Sequence, residues 1–333
     1  MGQVATAVDS IRTMASLATP MTLRVAVTLG LPDRLLGNGA SVNPLAAELN
    51  VSSAALDRLL GHLVTLGVAE RTSDDGYRTT AYGANLCADA GNGLNDLLHL
   101  DAAGGRAELA FVDLAHSVAT GKAAYPLRYG QDFWTDLSQH PHLRESFDRQ
   151  MTQRFREQIP QIVAAGDWAR FPTLVDVGGG NGTLLAAILA AHPGMRGRLV
   201  ELAPTATEAA HTFNTHGLGD RAQALMGSFF EPLPSGADAY LLCDILHNWD
   251  DEHAHTILAR CVEAAHPASR VLIIEAVAGE RAVSEFDLAM LVMFGGRERS
   301  VDDFRDLTAQ HGLTLASATR LTSQRCLLEF ALR

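Results

Sequence analysis

Ten residues, LVDVGGGNGT at 174–183, carry the strongest chemical signal in the chain. Asp176, Gly178, Gly180 and Gly182 spell D-x-G-x-G-x-G between a strand-like run, TLVDV, and a helix-like run, TLLAAILAA. Glycines in such a turn let the backbone pass close to a bound ligand. The dinucleotide fingerprint asks for glycine at 183, where Thr183 stands, and no Lys-Ser/Thr follows to make a phosphate loop. A ligand without phosphate, such as S-adenosylmethionine, suits this variant. Glu201 closes the next strand, GRLVE, where an acid can accept both ribose hydroxyls.

Three further groups fall after later strands. In GSFFEPLP, Gly227, Ser228 and Phe229 follow the third strand, and Phe229 is placed either to stack on an adenine or to fill the core. In YLLCDILHNWDDEHA, His247 follows the fourth strand, beyond Cys243. A histidine titrating near neutrality, at about 6.5, is a general-base candidate. Glu275, ending the fifth strand, and Glu298, in LVMFGGRERS, are the acids available to orient or polarise it. Glu298 also stands between Arg297 and Arg299, so a surface ion pair is its alternative role.

The elements that must hold these residues are legible from periodicity. From Thr173 onward, apolar strands (TLVDV, GRLVE, AQALM, AYLLC, RVLIIEAV) alternate with helical runs. Ala254, Ile257, Leu258, Cys261, Val262 and Ala265 form one helical stripe. This pattern predicts a doubly wound α/β sheet of parallel strands. Ser300 and Asp303 predict a capping box, and LTLASATRL followed by RCLLEFAL predicts a closing hairpin with one antiparallel strand. The first ninety residues read as helical, with helix, turn, helix and a short hairpin turning at Ser73–Gly76, a winged-helix order. That region holds six basic and eight acidic residues and no basic stripe, so packing or dimerisation is expected of it and DNA contact is not.

Composition excludes other classes. The 333 residues are 47% hydrophobic and 19% charged, which argues against global disorder. A net charge of −12 disfavours nucleic acid and anionic membranes as partners. No apolar run is long enough to span a bilayer, and the N-terminus, with Asp9 ahead of any basic residue, does not read as a secretory signal. Cys87, Cys243, Cys261 and Cys326 are scattered, which predicts neither disulfides nor a metal site and makes the cytoplasm the expected compartment.

Taken in order, DVGGGNG, Glu201, GSFFEPLP, LHNWDDE, VLIIEAV and MLVMFGGRERS resemble the class I S-adenosylmethionine-dependent small-molecule O-methyltransferases. The likeness covers nearly the whole chain and is nearest the bacterial anthracycline and aromatic-polyketide branch. It implies a Rossmann-like catalytic domain at 166–333, a winged-helix-like dimerisation domain at 1–95, and a helical connector at 96–165 contributing to the substrate pocket. His247 falls on the catalytic base, with Glu275 and Glu298 as its flanking acids. Gly178 to Gly182, with Asp176, fall on the cofactor loop, Glu201 on the ribose acid, and Gly227, Ser228 and Phe229 on the adenine region. The family usually has Asp where Ser228 stands, and plant members have Lys where Cys243 stands. Arg144 matches a basic residue offered to the methionine carboxylate, and Met151 a pocket methionine near the methyl donor. Trp134, Met290 and Phe294 are further pocket candidates. The implied activity is methyl transfer from S-adenosylmethionine, without a metal, to a hydroxylated aromatic molecule of bacterial secondary metabolism, by a homodimer. N- or C-methylation, or a non-methylating hydroxylase or pericyclic enzyme of the same fold, shares every cofactor motif. A winged-helix regulator is the more distant reading.

Overall fold

A computed structural model describes residues 7–277 and 284–333. The chain divides into two compact units. One comprises the chain through Glu108 together with His140–Gln153; the other comprises Leu109–Gln139 and Arg154–Arg333. The stretch 96–165, expected as one helical connector, is thus shared out between them.

The first unit carries the helices Ala18–Thr28, Leu31–Arg34, Val42–Leu49 and Ser53–Thr65, then a hairpin of β1 (Ala69–Arg71) and β2 (Tyr77–Thr79). This is the helix–turn–helix–hairpin order expected from the sequence. The run Thr19–Leu36 is broken once, where Gly30 takes a left-handed φ of 64° that closes one helix and opens the next. Ser52, of the two serines at that position, caps its helix by accepting from the Ala55 amide at 3.4 Å. Leu31, Leu35, Leu45, Leu56, Leu60, Leu63 and Tyr77 fill the core. The helix Ala7–Ala15 buries none of its residues.

The second unit is built on a seven-stranded sheet. Its strands are β3 (Thr173–Val177), β4 (Arg196–Glu201), β5 (Ala222–Met226), β6 (Ala239–Cys243), β7 (Arg270–Glu275), β8 (Leu313–Arg320) and β9 (Cys326–Leu332), in the spatial order β5-β4-β3-β6-β7-β9-β8. Strands β3 to β7 pair in parallel, and β9 runs antiparallel to both neighbours, β7 and β8. The one antiparallel strand predicted is therefore β9, seated inside the edge strand. Alternating strand residues feed two cores: Leu174, Leu199, Leu241 and Leu272 on one face, Val175, Val200, Leu242 and Ile273 on the other. Burial on both faces explains why these strands read as continuous apolar runs. The helix Asp251–Ala264 buries Ala254, Ile257, Leu258 and Cys261, the predicted stripe. The capping box of Ser300 and Asp303 opens the helix Val301–Ala309. Among the described residues no helix is long and apolar enough to cross a membrane.

Candidate active site

Strand order reverses direction between β3 and β6, and ligands of open α/β sheets bind beyond the carboxyl ends of the strands at that point. The glycine loop follows β3, Glu201 ends β4, Gly227 to Phe229 follow β5, Cys243 ends β6 with His247 just beyond, and Glu275 ends β7. The topology therefore brings six sequence-separated signals to one edge.

The glycine loop is shaped by contacts that exclude side chains. Gly178, Gly180 and Gly182 have φ of 74°, 57° and 77°. A Cβ on Gly178 would stand 2.6 Å from Ile245 and 3.3 Å from the Phe229 ring, whereas Gly180 faces open space. The Gly180 amide donates to Glu201 Oε2 at 3.2 Å, and the Leu202 amide donates to Oε1 at 2.8 Å. The Gly227 amide donates to the Glu201 carbonyl at 3.0 Å, and the Ser228 hydroxyl accepts from the Phe230 amide at 3.2 Å. Phe229 is half-buried against Phe230 and Trp249, with ring centroids at 4.9 and 6.0 Å. Asp176 is 1% exposed, and neither carboxylate oxygen has a hydrogen-bond partner among the described residues. Burial, reinforced by the charge of Glu201, raises its pKa to about 7.

His247 sits in a single 3-10 turn, Leu246–Asn248, that is pinned from several sides. Glu275 Oε1 accepts the His247 backbone amide at 3.1 Å. Arg299, fully buried, donates to the Leu246 carbonyl at 2.7 Å and the Trp249 carbonyl at 2.9 Å, and pairs with Asp251 at 2.7 Å. Gly296 lies so close that a Cβ there would come 2.1 Å from the His247 carbonyl oxygen. The Asn248 side chain donates to the Asp244 carbonyl at 3.1 Å. Asp244 itself is a non-glycine residue with a φ of 52°, and its carboxylate is bound by Arg325.

The imidazole is 4% exposed, with the Phe286 ring edge-on at 5.5 Å. Its Nδ1, Glu275 Oε2 and Glu298 Oε2 are all buried without a hydrogen-bond partner among the described residues. Burial lowers the His247 pKa to about 4, with Asp244 opposing and Arg154, Arg325 and Arg299 assisting. The expected titration near neutrality is thereby corrected: the ring is neutral at pH 7 because it is desolvated among cations. Burial raises Glu275 to about 8 and Glu298 to about 7, with Asp244 adding to both and Asp287 to Glu298. Glu298 is 6% exposed, and its backbone amide donates to Asp287 at 2.7 Å. The neighbouring arginines turn elsewhere, Arg297 to Asp251 and Asp303, Arg299 to Asp251. A surface ion pair is thus not what holds Glu298.

Beside this turn is an aromatic wall. Trp134 stacks on Phe294 at 5.1 Å and faces Trp249 at 6.3 Å, and Phe133 meets Phe294 edge-on at 5.2 Å. Met290 is buried on the helix Ser284–Phe294. Arg144 and Met151 lie on the helix Pro141–Arg156, within the part assigned to the first unit, where Arg144 pairs with Asp148 at 3.7 Å.

Two family models match the chain: an O-methyltransferase dimerisation domain over residues 11–89 and an O-methyltransferase domain over residues 111–314. The chain belongs to the O-methyltransferase family. It is 44% identical over 309 residues (92% of this chain, 93% of that protein) to the 2,7-dihydroxy-5-methyl-1-naphthoate 7-O-methyltransferase of Streptomyces carzinostaticus. It is 40% identical over 333 residues (96% of this chain, 89% of that protein) to the aclacinomycin 10-hydroxylase RdmB of Streptomyces purpurascens. The crystal structure of the O-methyltransferase NcsB1 from neocarzinostatin biosynthesis, in complex with S-adenosylmethionine and 2-hydroxy-5-methyl naphthoic acid, superposes with a TM-score of 0.91. Its sequence identity is 42%, covering 97% of this chain and 98% of that one.

S-adenosylmethionine is the methyltransferase's cofactor. The residues present fit it: a glycine loop with open space above Gly180, an acid at the strand end beside it, and a deeply buried carboxylate, Asp176, whose oxygens lack donors. Among the described residues no group of three or more His, Cys, Asp or Glu could hold a metal. Sequence reasoning missed Asp244, Arg299 and Arg325, the charged groups that lock the His247 turn. The signal available for Arg299 is RERS itself, whose basic residues flank Glu298 in sequence but pair with Asp251 in the fold.

Proposed function

We propose that this methyltransferase transfers the methyl group of S-adenosylmethionine to the hydroxyl of an aromatic small molecule of bacterial secondary metabolism, with His247 as general base. The observation that carries the reading is the buried, neutral imidazole held by its own backbone at the carboxyl edge of the sheet. S-adenosylmethionine supplies a methyl group already activated by its sulfonium. The protein must then align the acceptor oxygen and take its proton. Phenols ionise near 10, so the neutral acceptor predominates at pH 7. His247, neutral there, takes the hydroxyl proton as the oxygen attacks. Glu298 stands by to stabilise the imidazolium that forms, while Glu275, which keeps its proton at pH 7, holds the His247 backbone amide. Trp134, Phe294 and Met290 give the aromatic ring a flat apolar wall. Gly227, Ser228 and Phe229 are assigned to the adenine and Cys243 to the same cofactor edge.

Among the described residues the four cysteines form no disulfide, which suits a reducing compartment, so we place the enzyme in the cytoplasm. The dimerisation domain supports a homodimer formed through the N-terminal region.

His247→Ala tests the reading. Turnover of a phenolic acceptor should fall by about a hundredfold or more while the dissociation constant for S-adenosylhomocysteine stays within about twofold. An alanine variant methylating at the wild-type rate across neutral pH would make His247 structural and shift the assignment to N- or C-methylation. A wild-type enzyme that binds the cofactor and hydroxylates its acceptor would instead align it with the RdmB type.

A further inference from the structure

Three arginines act electrostatically on the His247 imidazole, namely Arg154, Arg325 and Arg299. Two of them are committed. Arg299 is bound to two carbonyls and Asp251. Arg325 is bound to Asp244 and Gln158, with its guanidinium 4.5 Å over the Phe155 ring. Arg154 differs. Its guanidinium lies 4.6 Å over the Phe286 ring, and no carboxylate or other acceptor among the described residues is within hydrogen-bonding distance of it. Its side chain keeps exposed surface, yet the protein packed around it lowers its pKa by burial, and Asp244 and Glu298 are near enough to act on its charge. The same Phe286 ring is the one that meets His247 at 5.5 Å. Arg154, Phe286 and His247 therefore form a short row, the guanidinium over the ring and the ring edge-on to the imidazole, with a neutral base at one end and an uncommitted planar cation at the other.

We propose that Arg154 is an acceptor-recognition residue that takes a carboxylate on the aromatic substrate, about one ring's width from the hydroxyl presented to His247. The inference rests on the reading of His247 as the base and adds the class of acceptor, an aromatic hydroxy acid. A guanidinium offers paired N–H donors in the plane that a carboxylate matches, and its cation–π contact with Phe286 holds the group in place before the acceptor arrives. The charge remains available because this contact leaves the N–H donors unused.

The test uses three acceptors matched in their hydroxyl position: 7-hydroxy-1-naphthoic acid, its methyl ester and 2-naphthol. Binding to the full-length enzyme saturated with S-adenosylhomocysteine is measured by calorimetry, and turnover separately with S-adenosylmethionine. Wild type should bind the acid roughly tenfold or more tighter than the ester or naphthol, as for a hydrogen bond between charged groups. Arg154→Gln should abolish that preference and leave ester affinity unchanged, and Arg154→Lys should restore part of it. His247→Ala should retain the preference while losing turnover. An acid-to-ester ratio unchanged in Arg154→Gln, a wild-type preference for naphthol, or no binding of any of the three would overturn the proposal. Arg154-dependent binding of the acid without methylation would instead uphold the carboxylate site and overturn the base.

Discussion

At the scale of single residues, the site is defined by ionisable groups forced away from their ordinary charge states. His247, near 4, remains neutral across the range where the enzyme works, so it cannot by itself give a pH limb near 6.5. Glu298, raised to about 7, changes charge there, from neutral acid below to carboxylate above. A carboxylate stabilises an imidazolium better than a neutral acid does. With cofactor saturating, kcat/KM should therefore rise between about pH 6 and 8, and Glu298→Gln should flatten that rise while a separate fall persists below pH 5. A limb at 6.5 surviving in the Gln variant would contradict the assignment. Glu275 makes an independent prediction about stability. Its folded pKa of about 8 exceeds the ordinary 4.5, so between these values the folded state holds a proton the unfolded chain has lost. Stability must fall as pH rises through that window, at up to about 1.4 kcal/mol per pH unit. Glu275→Gln removes the linkage, so its melting temperature relative to wild type should climb from pH 5 to pH 8. A constant offset would show that Glu275 ionises normally. His247, Glu201 and Glu275 were legible in the sequence because each follows or ends a strand on one edge. Asp244 was not, because its role depends on Arg325, 81 residues away, which only the folded sheet brings to it.

At the scale of elements, the 3-10 turn carrying His247 makes too few internal bonds to hold itself, and its rigidity is imported. Arg299 supplies most of it, bridging the carbonyls on both sides of the turn to Asp251 at the start of the following helix. Arg299→Lys keeps the charge and loses the fork. Turnover should fall by about tenfold or more with cofactor affinity intact, and the melting temperature should drop as buried carbonyls lose donors worth roughly 1–3 kcal/mol. Unchanged kinetics in a destabilised variant would reduce Arg299 to a packing role. The strands, the capping box of Ser300 and Asp303, and the stripe on the helix Asp251–Ala264 were all readable, since each depends on neighbours within one or two turns. The seat of β9 was only half readable. Periodicity gives a hairpin, but which strand of it pairs with β7 is decided by the sheet.

For the whole molecule, the helix Ala7–Ala15 stands out. Val8, Ile11 and Met14 on it, and Leu17 after it, are each more than 60% exposed, a costly arrangement for a chain that stays alone. The dimerisation-domain match, beginning at residue 11, includes most of this surface. Replacing Ile11 and Met14 by aspartate should shift the protein from dimer to monomer in light scattering at micromolar concentration. A variant that remains fully dimeric would move the interface elsewhere in the first unit. That Arg144 and Met151 share the first unit with this helix was invisible to a reading in linear segments, because the chain returns to that unit at His140 after leaving it at Glu108.

The position of β9 also sets a timetable for synthesis. Residues 326–332 are an interior strand, with Leu328 and Phe330 almost completely enclosed and both edges engaged by β7 and β8. A ribosome delivers these residues after every other strand of the sheet. Until they emerge, β7 presents an open, apolar edge of the kind that pairs with strangers. The catalytic unit therefore cannot mature vectorially behind the N-terminal helices. It must wait as an incomplete sheet and close in one late, long-range step, which ties the yield of active enzyme to how well the nascent chain is shielded during that interval.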